Sequence, residues 1–177
     1  SAASDVYKRQ AEYGVEKAEE WATGLVSNLA RRPQGNDRAQ VKGIYEGLCD
    51  VAIINNYYFG KLKYSEDPVQ REWAKSMRLT FPNQEEGDRG AHINISGGGV
   101  AKHSKNKESA IKLLEFLSNS KSQKMYSEIN FEYPVNVKVE PSEELVSWGN
   151  FREDKISIEK IAQLSIDAQK IIDRVGW

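Results

Sequence analysis

The sequence predicts an α/β fold, and three observations carry that prediction. A helix-forming stretch over residues 37–48 runs directly into a short apolar run, Val51-Ala52-Ile53-Ile54. The run is mostly β-branched and has no polar interruption, the pattern of a strand buried on both faces of a parallel sheet. A second stretch, His92-Ile93-Asn94-Ile95-Ser96, alternates like a strand, and amphipathic helical patterns occupy most of the chain on either side. A helix leading straight into a buried strand is one αβ step of such a sheet.

Taken in order, residues 1–10 begin without Met, fit no clear period and are read as a non-native leader. Val15, Ala18, Ala22, Leu25 and Leu29 fall at helical spacing, and Arg31 to Asn36 form the loop that ends this helix. Asp37 with Gln40 makes a capping box for a second helix whose inward stripe is Val41, Ile44, Tyr45 and Leu48, with Gly47 at its end. Beyond the 51–54 strand, Asp67 and Pro68 start a helix with Val69, Trp73 and Met77 facing inward. Leu79 to Phe81 form a short strand, and the polar stretch 82–90 is a boundary loop. Gly97-Gly98-Gly99 follows the strand at 92–96 and suits a close backbone approach or a bend. Ala110, Ile111, Leu114 and Leu117 define a further helix, and Ser120 with Gln123 caps another carrying Met125, Tyr126 and Ile129. Asn130 to Val135 is extended and aromatic-rich, residues 139–155 are irregular, and Ile161, Leu164, Ala168, Ile171, Ile172 and Val175 stripe a final helix.

Bulk properties narrow the function. The 25 basic and 26 acidic residues of this 177-residue chain leave a net charge of −1, which gives no basic field for nucleic acid and no support for a membrane-surface role. Cys49 is alone, so an internal disulfide is impossible, and its place before an apolar strand suits a small core residue better than a nucleophile. No apolar run approaches the roughly 18 residues of a membrane helix, and the N-terminus lacks a charged-then-apolar signal pattern.

The chemistry concentrates at Asn55-Asn56-Tyr57-Tyr58, just past the carboxyl end of the 51–54 strand, where open α/β sheets place ligands. Adjacent tyrosines in a strand point to opposite faces, so spacing alone describes two half-buried aromatics packing on either side. They converge on one ligand if the chain leaves the strand at the asparagines for a turn or helix start. Two phenolate oxygens then suit a hard, highly charged cation such as ferric iron, which favours loss of a proton whose free pKa is about 10. His92 and His103 lack metal-ligand spacing, so a zinc or His-based hydrolytic centre is not indicated. The triple glycine has no following Gly-Lys-Ser/Thr for a phosphate loop. Glu85-Glu86 lie in a solvated turn, and Arg31-Arg32 at a solvated helix end.

Residues Asn28 to Asp37, then Gly47 to Tyr58, resemble the bacterial periplasmic ferric-iron-binding proteins of ABC transporters. His92 to Val100, Leu114 to Leu117 and Asn130 to Val135 agree with the same family, so the resemblance runs from about Ala11 to Trp177. It implies a periplasmic-binding-protein type II clamshell, here truncated to its C-terminal half: 11–88 in the second lobe, 89–138 returning to the first, and 139–177 closing the second. It also implies that Tyr57 and Tyr58 give phenolates to Fe(III), and that Asn55 helps hold a small synergistic anion. Further ligands belong to the first lobe, and Tyr7 is not a substitute for an upstream family tyrosine. The implied partner is an inner-membrane ABC permease, the implied compartment the periplasm, and the intact form a monomer that binds and does not catalyse. The alternatives are the same fold holding an organic anion or polyamine, or an α/β enzyme using tyrosine as acid or base. The strand edges at 89–100 are expected to make the isolated chain poorly soluble.

Overall fold

The computed structural model describes residues 3–177. Nine α-helices are named among them: α1 Ala3–Tyr13, α2 Val15–Ser27, α3 Asp37–Tyr45, α4 Asn56–Lys63, α5 Pro68–Lys75, α6 Lys107–Ser118, α7 Ser120–Met125, α8 Glu143–Ser147 and α9 Ile158–Val175. A π-helical turn, Tyr126–Asn130, continues α7. The helix starts show why these residues nucleate where they do. Asp67 accepts from the Val69 amide with Pro68 at the first position of α5, and Ser157 accepts from the Lys160 amide at the start of α9. Gly176 closes α9 in the left-handed conformation, φ +72°.

Two apolar clusters form. In the first, Ala18 and Ala22 of α2 meet Ala168, Ile171 and Ile172 of α9, with Val6 of α1 fully buried between them. The aperiodic residues 1–10 therefore lie mostly within a helix in this structure, and Tyr7 packs against this cluster, not among the chemistry-bearing residues. In the second cluster, Val41 of α3, Leu62 of α4 and Ala74 of α5 pack together under Ile54, Phe59, Trp73 and Met77.

The expected strands at 51–54, 79–81 and 92–96 do not form among the described residues. Among the described residues the single bridge is parallel, Ala91 to Glu153, made by Ala91 N–H to Arg152 O and Asp154 N–H to Ala91 O, both 2.8 Å. The run 51–54 is not buried on both faces: Val51 is 80% exposed and Ile53 42%, while Ile54 turns onto the second cluster. The segments 79–81 and 92–96 likewise lack a ladder. A strand's burial comes from its neighbours, and no described segment pairs with these.

Other details also depart from the periodic reading. Asn36, not Asp37, caps α3 by accepting from the Ala39 amide, which leaves the Asp37 carboxylate for other work. Gln40 donates to the Gln34 and Asn36 carbonyls and so does not complete a capping box. Asn119, not Ser120, caps α7. Tyr45, Leu48, Val69, Ile111, Met125, Tyr126 and Ile129 are exposed, although their spacing puts them on inward stripes. The irregular stretch 139–155 contains α8. The close approach expected at the triple glycine is realised at Gly98, where an added Cβ would come within 2.9 Å of Leu114 Cδ2.

Candidate metal centre

The two tyrosines are brought to one side because the chain leaves extended backbone at Asn55, φ −73° and ψ 132°, and turns immediately into α4. Tyr57 and Tyr58 occupy the first turn, their rings stacked with centroids 4.3 Å apart and planes inclined by 30°. Residues adjacent on a helix diverge by about 100°, so this stacking requires their side chains to lean together. The turn is fixed from below and behind. Leu62 is fully buried in the second cluster, and Gly60 lies so close to the Phe131 ring that any side chain there would run into it. Phe131 itself reaches that place through a left-handed backbone, φ +57°, at the end of the π-helical turn.

Electrostatics keep both proton and cation chemistry in play. The Tyr57 pKa is raised from 10.0 to about 12, first by its side-chain hydrogen bond with Tyr58, then by burial, then by the charges of Tyr58, Asp37 and Glu132. Each of these disfavours a lone phenolate, so without a metal Tyr57 is a neutral phenol at physiological pH. Cations flank the pair: Lys61 Nζ lies 4.9 Å from the Tyr57 ring centre and Arg38 Cζ 5.6 Å from that of Tyr58. A hard trivalent ion can displace a phenol proton, because its attraction for phenolate exceeds the cost of ionisation.

The third sequence-predicted residue, Asn55, sits at the same helix start. Its backbone N–H donates to Asp37 Oδ1 at 2.8 Å, its Nδ2 contacts the same oxygen at 3.4 Å, and its Oδ1 accepts from Asn94 Nδ2 at 3.3 Å. Sequence reasoning missed Asp37 and Asn94 here, the first because it looked like a helix cap and the second because strand alternation gives no hint of a side-chain partner. Arg31 donates to the Ala39 carbonyl and the Gln40 side chain, so it braces α3 and is not simply a solvated helix end. Glu85 and Glu86 are exposed in a loop whose carbonyls at Asn83, Glu85 and Asp88 accept from Arg152. Among the described residues no group of three or more His, Cys, Asp or Glu gathers as for a metal, and no helix is long and apolar enough to cross a membrane.

The fold is that of roughly half of a periplasmic-binding-protein type II clamshell, with a pair of tyrosines at a helix start. The chain is similar to iron uptake protein A1 of Synechocystis sp., 42% identical over 164 residues, which cover 93% of this chain and 45% of that protein. Its structure matches the ferric binding protein of Campylobacter jejuni with a TM-score of 0.93 at 39% identity, covering 98% of this chain and 54% of that one. A Trichodesmium protein (IdiA, FutA) in complex with iron and citrate ligands matches with a TM-score of 0.91 at 43% identity, over 99% of this chain and 55% of its own. The chain thus spans about half the length of the curated relatives it matches. No protein-family model matches it.

Proposed function

We propose that this chain is the tyrosine-bearing part of an extracytoplasmic solute-binding protein that captures Fe(III) and delivers it to an ABC permease. The observation that carries the reading is the stacked Tyr57–Tyr58 pair at the first turn of α4, in a chain similar to an iron uptake protein. Tyr57 and Tyr58 supply two phenolates. Asn55 keeps a second Nδ2 hydrogen for a small synergistic anion beside the metal, at a helix end whose positive dipole favours negative charge. In this reading residues 11–88 belong to one lobe, 89–138 return to the other and 139–177 close the first, while 1–10 are a non-native leader, of which the residues from Ala3 onward pack as part of α1. The protein works in the periplasm and binds without catalysing; intact, it is a monomer. Oxygen ligands from two lobes tie metal capture to closure, and opening, loss of the anion or reduction to a softer ion releases it.

A second reading, the same fold holding an organic anion without metal, is favoured by Arg38 and Lys61 beside the rings. Titration of the chain with chelated Fe(III) separates the two. Iron bound by phenolate gives a visible charge-transfer band that Tyr57→Phe/Tyr58→Phe removes, whereas an organic anion bound alone leaves the solution colourless.

A further inference from the structure

Four side chains from three parts of the sequence form a line that passes through the start of the tyrosine-bearing helix and ends on α3. His92 Nε2 lies 3.0 Å from Asn94 Oδ1, Asn94 Nδ2 donates to Asn55 Oδ1 at 3.3 Å, and Asn55 meets Asp37 Oδ1 through both its backbone N–H and its Nδ2. The direction of this line follows from chemistry at one end. An ionised carboxylate only accepts, so Asn55 must turn its NH2 toward Asp37 and its carbonyl toward Asn94. Asn94 must then present its NH2 to Asn55 and its carbonyl to His92, which is left to donate from Nε2. Reversing either amide would set oxygen against oxygen or nitrogen against nitrogen.

The far end of the line is fixed to the fold. His92 and Asn94 follow Ala91, which is pinned to residues 152–154 by its two 2.8 Å backbone bonds. Gly90 lies against the carbonyls of Arg152 and Glu153 with φ +93°, so close that a side chain would meet them at 2.6–2.7 Å. The line therefore joins a tightly held crossing of two segments to the residue from which α4 starts.

From this we infer that His92, Asn94 and Asp37 are positioning residues: a one-way hydrogen-bond relay from His92 to Asp37 orients Asn55 and sets where the first turn of α4 presents Tyr57 and Tyr58. Asn94 couples the 89–94 crossing to Asn55 and, through it, to the first turn of α4. The proposal rests on the iron-site reading only for its effect on metal; the relay itself is independent of it.

The test has two arms. In the metal-free chain carrying His103→Gln, which leaves His92 as the one imidazole, two-bond proton–nitrogen NMR correlations read the ring tautomer above its pKa. The relay predicts hydrogen on Nε2, and a loosened preference in Asp37→Asn, whose amide accepts either direction. Hydrogen on Nδ1, or a preference unchanged in Asp37→Asn, overturns the relay. In the second arm, chelated Fe(III) is titrated into the chain, Asn94→Ala and Asn94→Asp. Asn94→Asp keeps the shape but cannot donate to Asn55, so iron retention falls about fivefold to tenfold and the charge-transfer band shifts, more than in Asn94→Ala. A band and retention equal to the parent chain's in Asn94→Asp overturn the positioning role. Absence of a band in the parent chain sinks the iron reading instead, and the tautomer still decides the relay.

Discussion

The layer made by α1, α2 and α9 and the face made by residues 50–58 and 92–100 use apolar residues in opposite ways. In the helical layer, each backbone satisfies its own hydrogen bonds, and small residues such as Ala18, Ala22 and Ala168 let the helices close over Val6 and Ile171. On the other face Val51, Ile53 and Ile95 stay 80, 42 and 60% exposed in segments that form no ladder. Helices complete themselves locally, whereas strands depend on partners elsewhere in sequence. The tyrosine pair follows directly on the second of these: Ile54 packs onto the cluster of Val41, Leu62 and Ala74, and Asn55 starts α4.

The largest expected effect comes from breaking the side that is complete. Arg89 bonds to Asp154 at 2.6 Å and to Asp5 at 3.0 Å, and Lys8 lies 3.7 Å from Asp154, with Arg89, Lys8 and Asp154 almost wholly out of solvent. Asp154→Ala leaves two buried cations without their shared anion and should cost about 3–5 kcal/mol in urea unfolding. A loss below 1 kcal/mol would mean water takes the carboxylate's place. Next in size is Gly60→Ala, whose methyl meets the Phe131 ring and should cost about 1–3 kcal/mol while weakening iron retention, since α4 must shift. Unchanged stability there would show that Phe131 moves freely and does not hold the site.

The exposed face can be sharpened instead of broken. Val51→Lys/Ile53→Lys puts charge along an unpaired edge and should reduce self-association in gel filtration with little change in helix content. Equal self-association of the parent and the variant would locate the sticky surface elsewhere. The smallest effect concerns protons. Because the folded Tyr57 pKa is raised from 10.0 to about 12, its contribution to stability is fully present below pH 10 and is lost as pH rises from 10 to 12. Tyr57→Phe should flatten that part of the stability profile and remove the latest phenol from an ultraviolet titration. An unchanged titration would show that the pair does not share its proton.

What the sequence made legible follows the same division. The stripe from Ile161 to Val175 and the Asp67-Pro68 start are local signals, and both appear where spacing puts them. The tyrosine pair was legible because two asparagines mark the exit from an apolar run, and α4 starts there. The pairing of 51–54 was not, since β-branched residues announce a strand without saying where its neighbours are. Nor were Asp37 and Asn94 as partners of Asn55: the bonds join residues 18 and 39 positions apart, beyond any local period. The helix expected through Ala110, Ile111, Leu114 and Leu117 is present as α6, but Ile111 keeps the period and stays exposed among the described residues.

The central claim is that Tyr57 and Tyr58 act together on a hard cation, and visible absorption during titration with chelated Fe(III) tests it most directly. A phenolate-to-iron band is expected in the chain as it stands, diminished in each single Tyr→Phe variant and gone in Tyr57→Phe/Tyr58→Phe. A band that survives the double substitution would place the iron on other ligands and contradict the account.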